Sequence, residues 1–184
     1  MARLVPQTHA ALHTIAEEVP LEEITSPRIK KVLADMRAAL HSYKVNGYTG
    51  IAIAAPQIGV PLRIFLIEDM SEQHEGELRL PSLVAINPRI VRTSKESALA
   101  GEGCLSVPEV YGKVKRARRA TLRAYDEHGV LYERGGSDLL AQVFQHEVDH
   151  LDGILFVDRA TEIFDKKELD ALREDAVSDI TADA

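Results

Sequence analysis

The chain is poor in cysteine, aromatic residues and positive charge, and each shortage excludes something. Cys104 is the lone cysteine among 184 residues, so no internal disulfide can form, and a reducing compartment is the expected setting. Its thiol must be buried core, a nucleophile or a metal ligand. Lysine and arginine number 22 against 29 acidic residues, and the formal charge of -7 lacks the basic footprint of a nucleic-acid binder. Specific DNA recognition is therefore not expected. No long apolar run is present: the most apolar stretch, residues 50–67, is interrupted by Pro56, Pro61 and Arg63, which excludes a spanning helix. The opening MARLVPQTHAAL lacks the apolar core of a signal peptide. Repeats, low-complexity tracts and Gly/Ser linkers are absent too. These features predict one soluble, cytoplasmic domain over residues 1–184 with a core of its own.

What is present is patterned. Ser26 followed by Pro27 reads as an N-cap and first helical position, and Ile29, Val32, Leu33, Met36 and Leu40 continue at helical spacing to about Tyr43. Residues 63–68, 83–91, 111–117 and 121–125 read as strands, and Asp126–Gly129 as a hairpin loop into a strand over 130–133. Residues 69–82 read as a polar surface loop. Ser137 is a plausible cap for a helix running to about Leu151, with Gly153 as its stop signal. A last, acidic helix is predicted from Glu162 to about Val177. The whole is an α+β domain, with antiparallel or mixed strands around a central helix and further helices at both ends.

The central helix carries the chemistry. His146-Glu147-Val148-Asp149-His150 is an HExxH sequence, and residues four apart share one helix face, so two imidazoles can converge on one ion. Glu147, beside the first of them, can reach a water on that ion. Leu139 and Val143 lie on the same face. A catalytic site needs a third protein ligand. The next histidine of a metzincin-like pattern is here Phe156, which cannot ligate. Glu168 or Glu174 could serve in a gluzincin-like peptidase. Cys104, flanked by Gly103 and Leu105 in a glycine-bearing loop, is the remaining candidate, with nucleophile and plain buried hydrophobe as its other readings. The small, apolar segment Gly50-Ile51-Ala52-Ile53-Ala54-Ala55-Pro56-Gln57 is either a tight core turn or a wall admitting a substrate backbone, with Gln57 donating into the site.

Gly50–Gln57, Glu102–Ser106 and Gln145–Gly153 resemble, in the same order, the three motifs of the peptide deformylases: a GxGxAAxQ-type segment, EGCLS and QHExDHLxG. The likeness spans roughly residues 26–159. The first motif departs at Ala52, where the pattern has a second glycine, and altered substrate affinity is the expected consequence. The resemblance implies that Cys104, His146 and His150 hold one divalent ion, typically Fe²⁺ with Zn²⁺ or Ni²⁺ as alternatives. It further implies removal of the formyl group from N-formylmethionine on nascent chains, with release of formate. Glu147 then moves protons, while Gln57 and the Leu105 backbone N–H donate to the formyl oxygen. Gly50, Ile51, Ala52 and Gly103 would border the peptide, with Ile51, Leu139, Val143 and His146 lining a pocket for the methionine side chain. Glu102 is expected to anchor its loop by an ion pair. A non-catalytic binder of modified N-termini is the other reading, and the presence of Glu147 and Gln57 speaks against it. The basic run Lys113, Lys115, Arg116, Arg118, Arg119 and Arg123 reads as a solvated sheet face, with a transient ribosome contact as the sharper alternative.

Overall fold

A computed structural model describes residues 3–45, 48–68, 80–169 and 171. Helix α1 (Pro27–Ser42) begins as capping chemistry dictates, with Ser26 Oγ accepting a 3.3 Å hydrogen bond from the Ile29 N–H. The strands are β1 (Lys44–Val45), β2 (Tyr48–Thr49), β3 (Ala52–Ala54), β4 (Ile64–Ile67), β5 (Leu83–Thr93), β6 (Ser97–Cys104), β7 (Val107–Ala117), β8 (Arg119–Tyr125), β9 (Leu131–Ser137) and β10 (Glu162–Asp165). Between and after them come α2 (Asp138–Leu151) and the short α3 (Phe156–Arg159). All paired strands are antiparallel. β1 pairs β2, one sheet runs β3-β4-β5-β8-β9, and a second runs β10-β7-β6.

The five-stranded sheet is covered on both faces, which is why β4 is apolar throughout rather than alternating. Ile53, Ile64, Leu66, Val84 and Ile86 point to α1, joining Ile29, Leu33, Met36 and Leu40. Ala54, Phe65, Ile67, Ala85, Leu122 and Ala124 point the other way, onto Val143, Phe144, Val148 and Leu151 of α2. A third cluster of Leu12, Val107, Val114, Leu155 and Phe156 lies against the second sheet. Helix α2 touches strands of both sheets.

Several expectations need correction. The supposed loop at residues 101–104 is the end of strand β6, because it finds a full partner in β7. Residues 162–165 are not helical. Their Ile163 and Phe164 favour a strand, and β7 offers its free edge, so they form β10, with Lys113 paired to Glu162 at 2.9 Å. Helical geometry begins only at residue 166, and Leu172, Ala176 and Val177 lie outside the described residues. Ser137 occupies the N-cap position of α2 but its side chain makes no capping bond. The chain turns there through Asp138, held at φ +47°. Most of the expected surface loop at residues 69–82 also falls outside the described residues, and β9 extends past Glu133 to Ser137.

Candidate active site

Strand β6 ends in a two-residue turn. Cys104 faces Val107 across the ladder, leaving Leu105 and Ser106 as the turn itself. The ladder slips between Gly103 and Cys104, and on the β7 side Glu109 adopts φ +62°, so residues 108–110 bulge outward. This geometry carries Cys104 towards α2. Its Sγ lies 3.2 Å from His150 Nε2, and the donor atoms of Cys104, His146 and His150 all fall within 4.8 Å of one another. One thiolate and two imidazoles match the donor chemistry of a divalent transition metal, so among the described residues these three form the group able to hold an ion. Glu168, the gluzincin-like alternative, is exposed and exchanges hydrogen bonds with Asp165, while Glu174 lies outside the described residues.

Two of these donors border a cavity of about 270 Å³. Gly50, Ile51, Ala52, Gln57, Gly103, Cys104, Leu105, Leu139, Val143, His146 and Glu147 all line it, whereas His150 is fully buried behind. β3 and β6 are both edge strands, each paired to a neighbouring strand on one side only among the described residues. A Cβ on Gly101 would meet nothing within 4 Å, and one on Gly103 would press the Tyr111 ring at 3.1 Å. Neither glycine has positive φ. Smallness is therefore required at Gly103, whereas Gly101 has room for a side chain.

Gln57 is 1% exposed, at the end of a short 3₁₀ turn following β3. Its Oε1 accepts from the Ala54 N–H at 2.8 Å, which fixes the amide orientation. The Nε2 group therefore faces Cys104 Sγ and Ser106 Oγ, each at 3.4 Å. Glu147 is buried and its Oε2 has no hydrogen-bond partner, as is also true of His150 Nδ1. Burial raises the Glu147 carboxyl to about 7, with the nearby Glu102 charge adding to the shift and His146 opposing it. Burial lowers His150 well below the ordinary imidazole range, helped by the charges of His146 and Arg116. Burial also disfavours charge on His146, but hydrogen bonds to Cys104 and Glu102 overcome it and hold that ring well above its usual value.

Glu102 does make the expected ion pair, with Arg116 at 2.7 Å, and it also braces one of the two imidazoles, its Oε2 accepting from His146 Nδ1 at 2.9 Å. Against burial, these two partners bring its carboxyl down to about 2. Arg116 overturns the reading of a uniformly solvated basic run, being 6% exposed and inward-facing. Strand parity could have found it, since Gly112, Val114 and Arg116 share one buried face of β7. Lys113, Arg118 and Arg123 do lie outside, each paired with an acid. Sequence reading also passed over Gln142, whose Nε2 donates to the Gly101 carbonyl at 2.8 Å, and over Tyr43, Glu109 and Tyr111 at the cavity wall. Phe156, dismissed as a ligand, stacks on the His146 ring at 6.4 Å between centroids.

Comparison with known proteins agrees with this geometry. The family model for polypeptide deformylase matches residues 1–166. A peptide deformylase from Desulforudis audaxviator is 44% identical over 119 residues, covering 65% of this chain and 72% of the relative. One from Caldanaerobacter subterraneus subsp. tengcongensis is 39% identical over 155 residues, covering 84% of this chain and 87% of the relative. The crystal structure of a class I type b peptide deformylase from Acinetobacter baumannii, bound to Met-Ala-Ser, superposes with a TM-score of 0.76 at 31% identity, over 85% of this chain and 96% of that one. The chain belongs to the polypeptide deformylase family, hydrolases that remove the formyl group from the N-terminal methionine of new polypeptides.

Proposed function

We propose that Cys104, His146 and His150 hold one divalent ion, Fe²⁺ in the cell with Zn²⁺ or Ni²⁺ able to substitute, and that Glu147 is the general acid–base of deformylation. The observation that carries this reading is the meeting of a thiol and two imidazoles within 4.8 Å, beside a buried carboxyl with a free oxygen. An ion held there supplies Lewis-acid chemistry, lowering the pKa of a coordinated water from about 15.7 towards ~7. Glu147, at about 7, is matched to accept a proton from water and deliver it to the departing amine nitrogen. Gln57 Nε2, its direction fixed by Ala54, donates to the formyl oxygen as negative charge grows there, and the Leu105 N–H in the β6–β7 turn is the second donor.

Gly50, Ile51, Ala52 and Gly103 border the peptide main chain, and the methionine side chain lies against Leu139 and Val143. The Met-Ala-Ser tripeptide in the Acinetobacter baumannii enzyme supports a peptide of this kind in the cavity. Residues 1–184 act as one catalytic domain in the compartment where nascent chains carry formylmethionine, with the acidic stretch from 161 outside the chemistry. The test is anaerobic formate release from a formyl-Met tripeptide by Fe²⁺-loaded protein. Wild type should turn over and Cys104→Ala should not. Activity retained in Cys104→Ala would instead return the site to a two-histidine plan with another ligand.

A further inference from the structure

We propose that Arg116 is a positioning residue for the metal centre, acting through Glu102 to fix the ring of His146. The inference rests on the ligand assignment above. Arg116 Nε and Nη2 grip the two Glu102 oxygens at 2.7 and 3.0 Å, a bidentate fork that sets the carboxylate plane. With that plane set, Oε2 presents to His146 Nδ1 along one line, the ring donates from Nδ1, and Nε2 is left as the atom offered to the ion. The fork itself is held from behind. Arg116 Nη1 bonds Asp149 Oδ2 at 2.6 Å, and Arg159 closes on the same carboxylate at 2.8 and 3.0 Å. Two arginines and two carboxylates thus form a neutral, mostly buried chain from α3 through α2 and β7 to β6. The same α3 supplies Phe156, which stacks on His146, so one short helix contacts the ring directly and also anchors the far end of the chain of ion pairs. A network that only tied strands to helix would not need to terminate on a ligand nitrogen.

The experiment measures Zn²⁺ affinity of the full chain by competition with a chromophoric chelator, alongside the visible spectrum of the Co²⁺ form. Arg116→Met and Glu102→Gln are each expected to weaken Zn²⁺ binding by roughly 10–100-fold. In the double variant the Arg116 effect should vanish, leaving affinity within about twofold of Glu102→Gln alone, because one residue acts through the other. Arg116→Lys keeps the charge but lacks the fork, and should still lose about an order of magnitude while remaining folded. If Arg116→Met does not fold, Arg116→Lys carries the same cycle. Affinity within twofold of wild type in the Arg116 variants, or an Arg116 loss that adds in full to that of Glu102→Gln, would overturn the proposal. A wild type that binds no Zn²⁺, or binds it undiminished after Cys104→Ser, defeats the ligand assignment itself and is read separately.

Discussion

Glu147 sits where two demands conflict: burial opposes its charge, and its proposed role requires a proton that comes and goes. Glu147→Gln keeps the shape and removes the proton acceptor, so kcat for formate release should fall by about 10²–10⁴-fold while Zn²⁺ binding stays near wild type. The same substitution has a consequence for folding. The carboxyl is raised from 4.5 unfolded to about 7 folded, so between those values the folded state binds more protons. Metal-free wild type therefore loses stability as pH rises through that window. Denaturant melts should show metal-free Glu147→Gln gaining on wild type from pH 5 to pH 8; a constant difference would refute the shift. Gln57 sits in the opposite situation, a neutral donor locked by the Ala54 N–H. Gln57→Ala should cost about 10²–10³ in kcat, the usual worth of one donor to a developing oxyanion, with little change in KM.

At the scale of elements, legibility followed how much of each signal was local. Helix α1 was readable because its cap, its proline and its apolar stripe all lie within its own residues. Helix α2 is readable from its local apolar spacing although Ser137 does not cap it, and its stop at Gly153 is real: φ is +74°, and a Cβ there would meet the backbone of His13 and Thr14 at 2.9 Å. Gly153→Ala should therefore destabilise by about 1–3 kcal/mol, lowering Tm by roughly 2–4 °C per kcal/mol in a chain of this size. β6 and β10 are illegible because strand character there comes from pairing with β7, a hairpin neighbour for β6 and a partner about 50 residues away for β10. The glycines of β6 weaken its strand pattern, and in β10 two β-favouring residues, Ile163 and Phe164, are too few to outweigh the helical spacing that follows them. The proposed ligand set is legible in motifs, whereas the Arg116–Glu102–His146 link needs strand parity and then two contacts, across 14 residues from Arg116 to Glu102 and across 44 from Glu102 to His146.

For the whole molecule, the proposed ligands come from separately packed parts. Cys104 belongs to the β6–β7 hairpin, seated on the Leu12, Val114 and Phe156 cluster, while both histidines ride on α2, seated on the five-stranded sheet. An ion shared between them would tie the small sheet to the large one. Binding to the folded state alone stabilises by about 2.7 kcal/mol when free ion is at 100 times Kd, or roughly 5–11 °C in Tm at this chain length. Chelation should accordingly lower Tm by that amount in wild type and scarcely at all in Cys104→Ser. The loss should also be local. Hydrogen exchange at Leu105 and Ser106, in the turn that carries the sulfur, should quicken on chelation, while β4 and β5, buried between α1 and α2, keep their protection. Uniform quickening would mean that the ion supports the large core as well. No change at the turn would mean that the third cluster, with the hydrogen bonds from Gln57 after β3 and from Gln142 of α2, suffices to hold the hairpin in place.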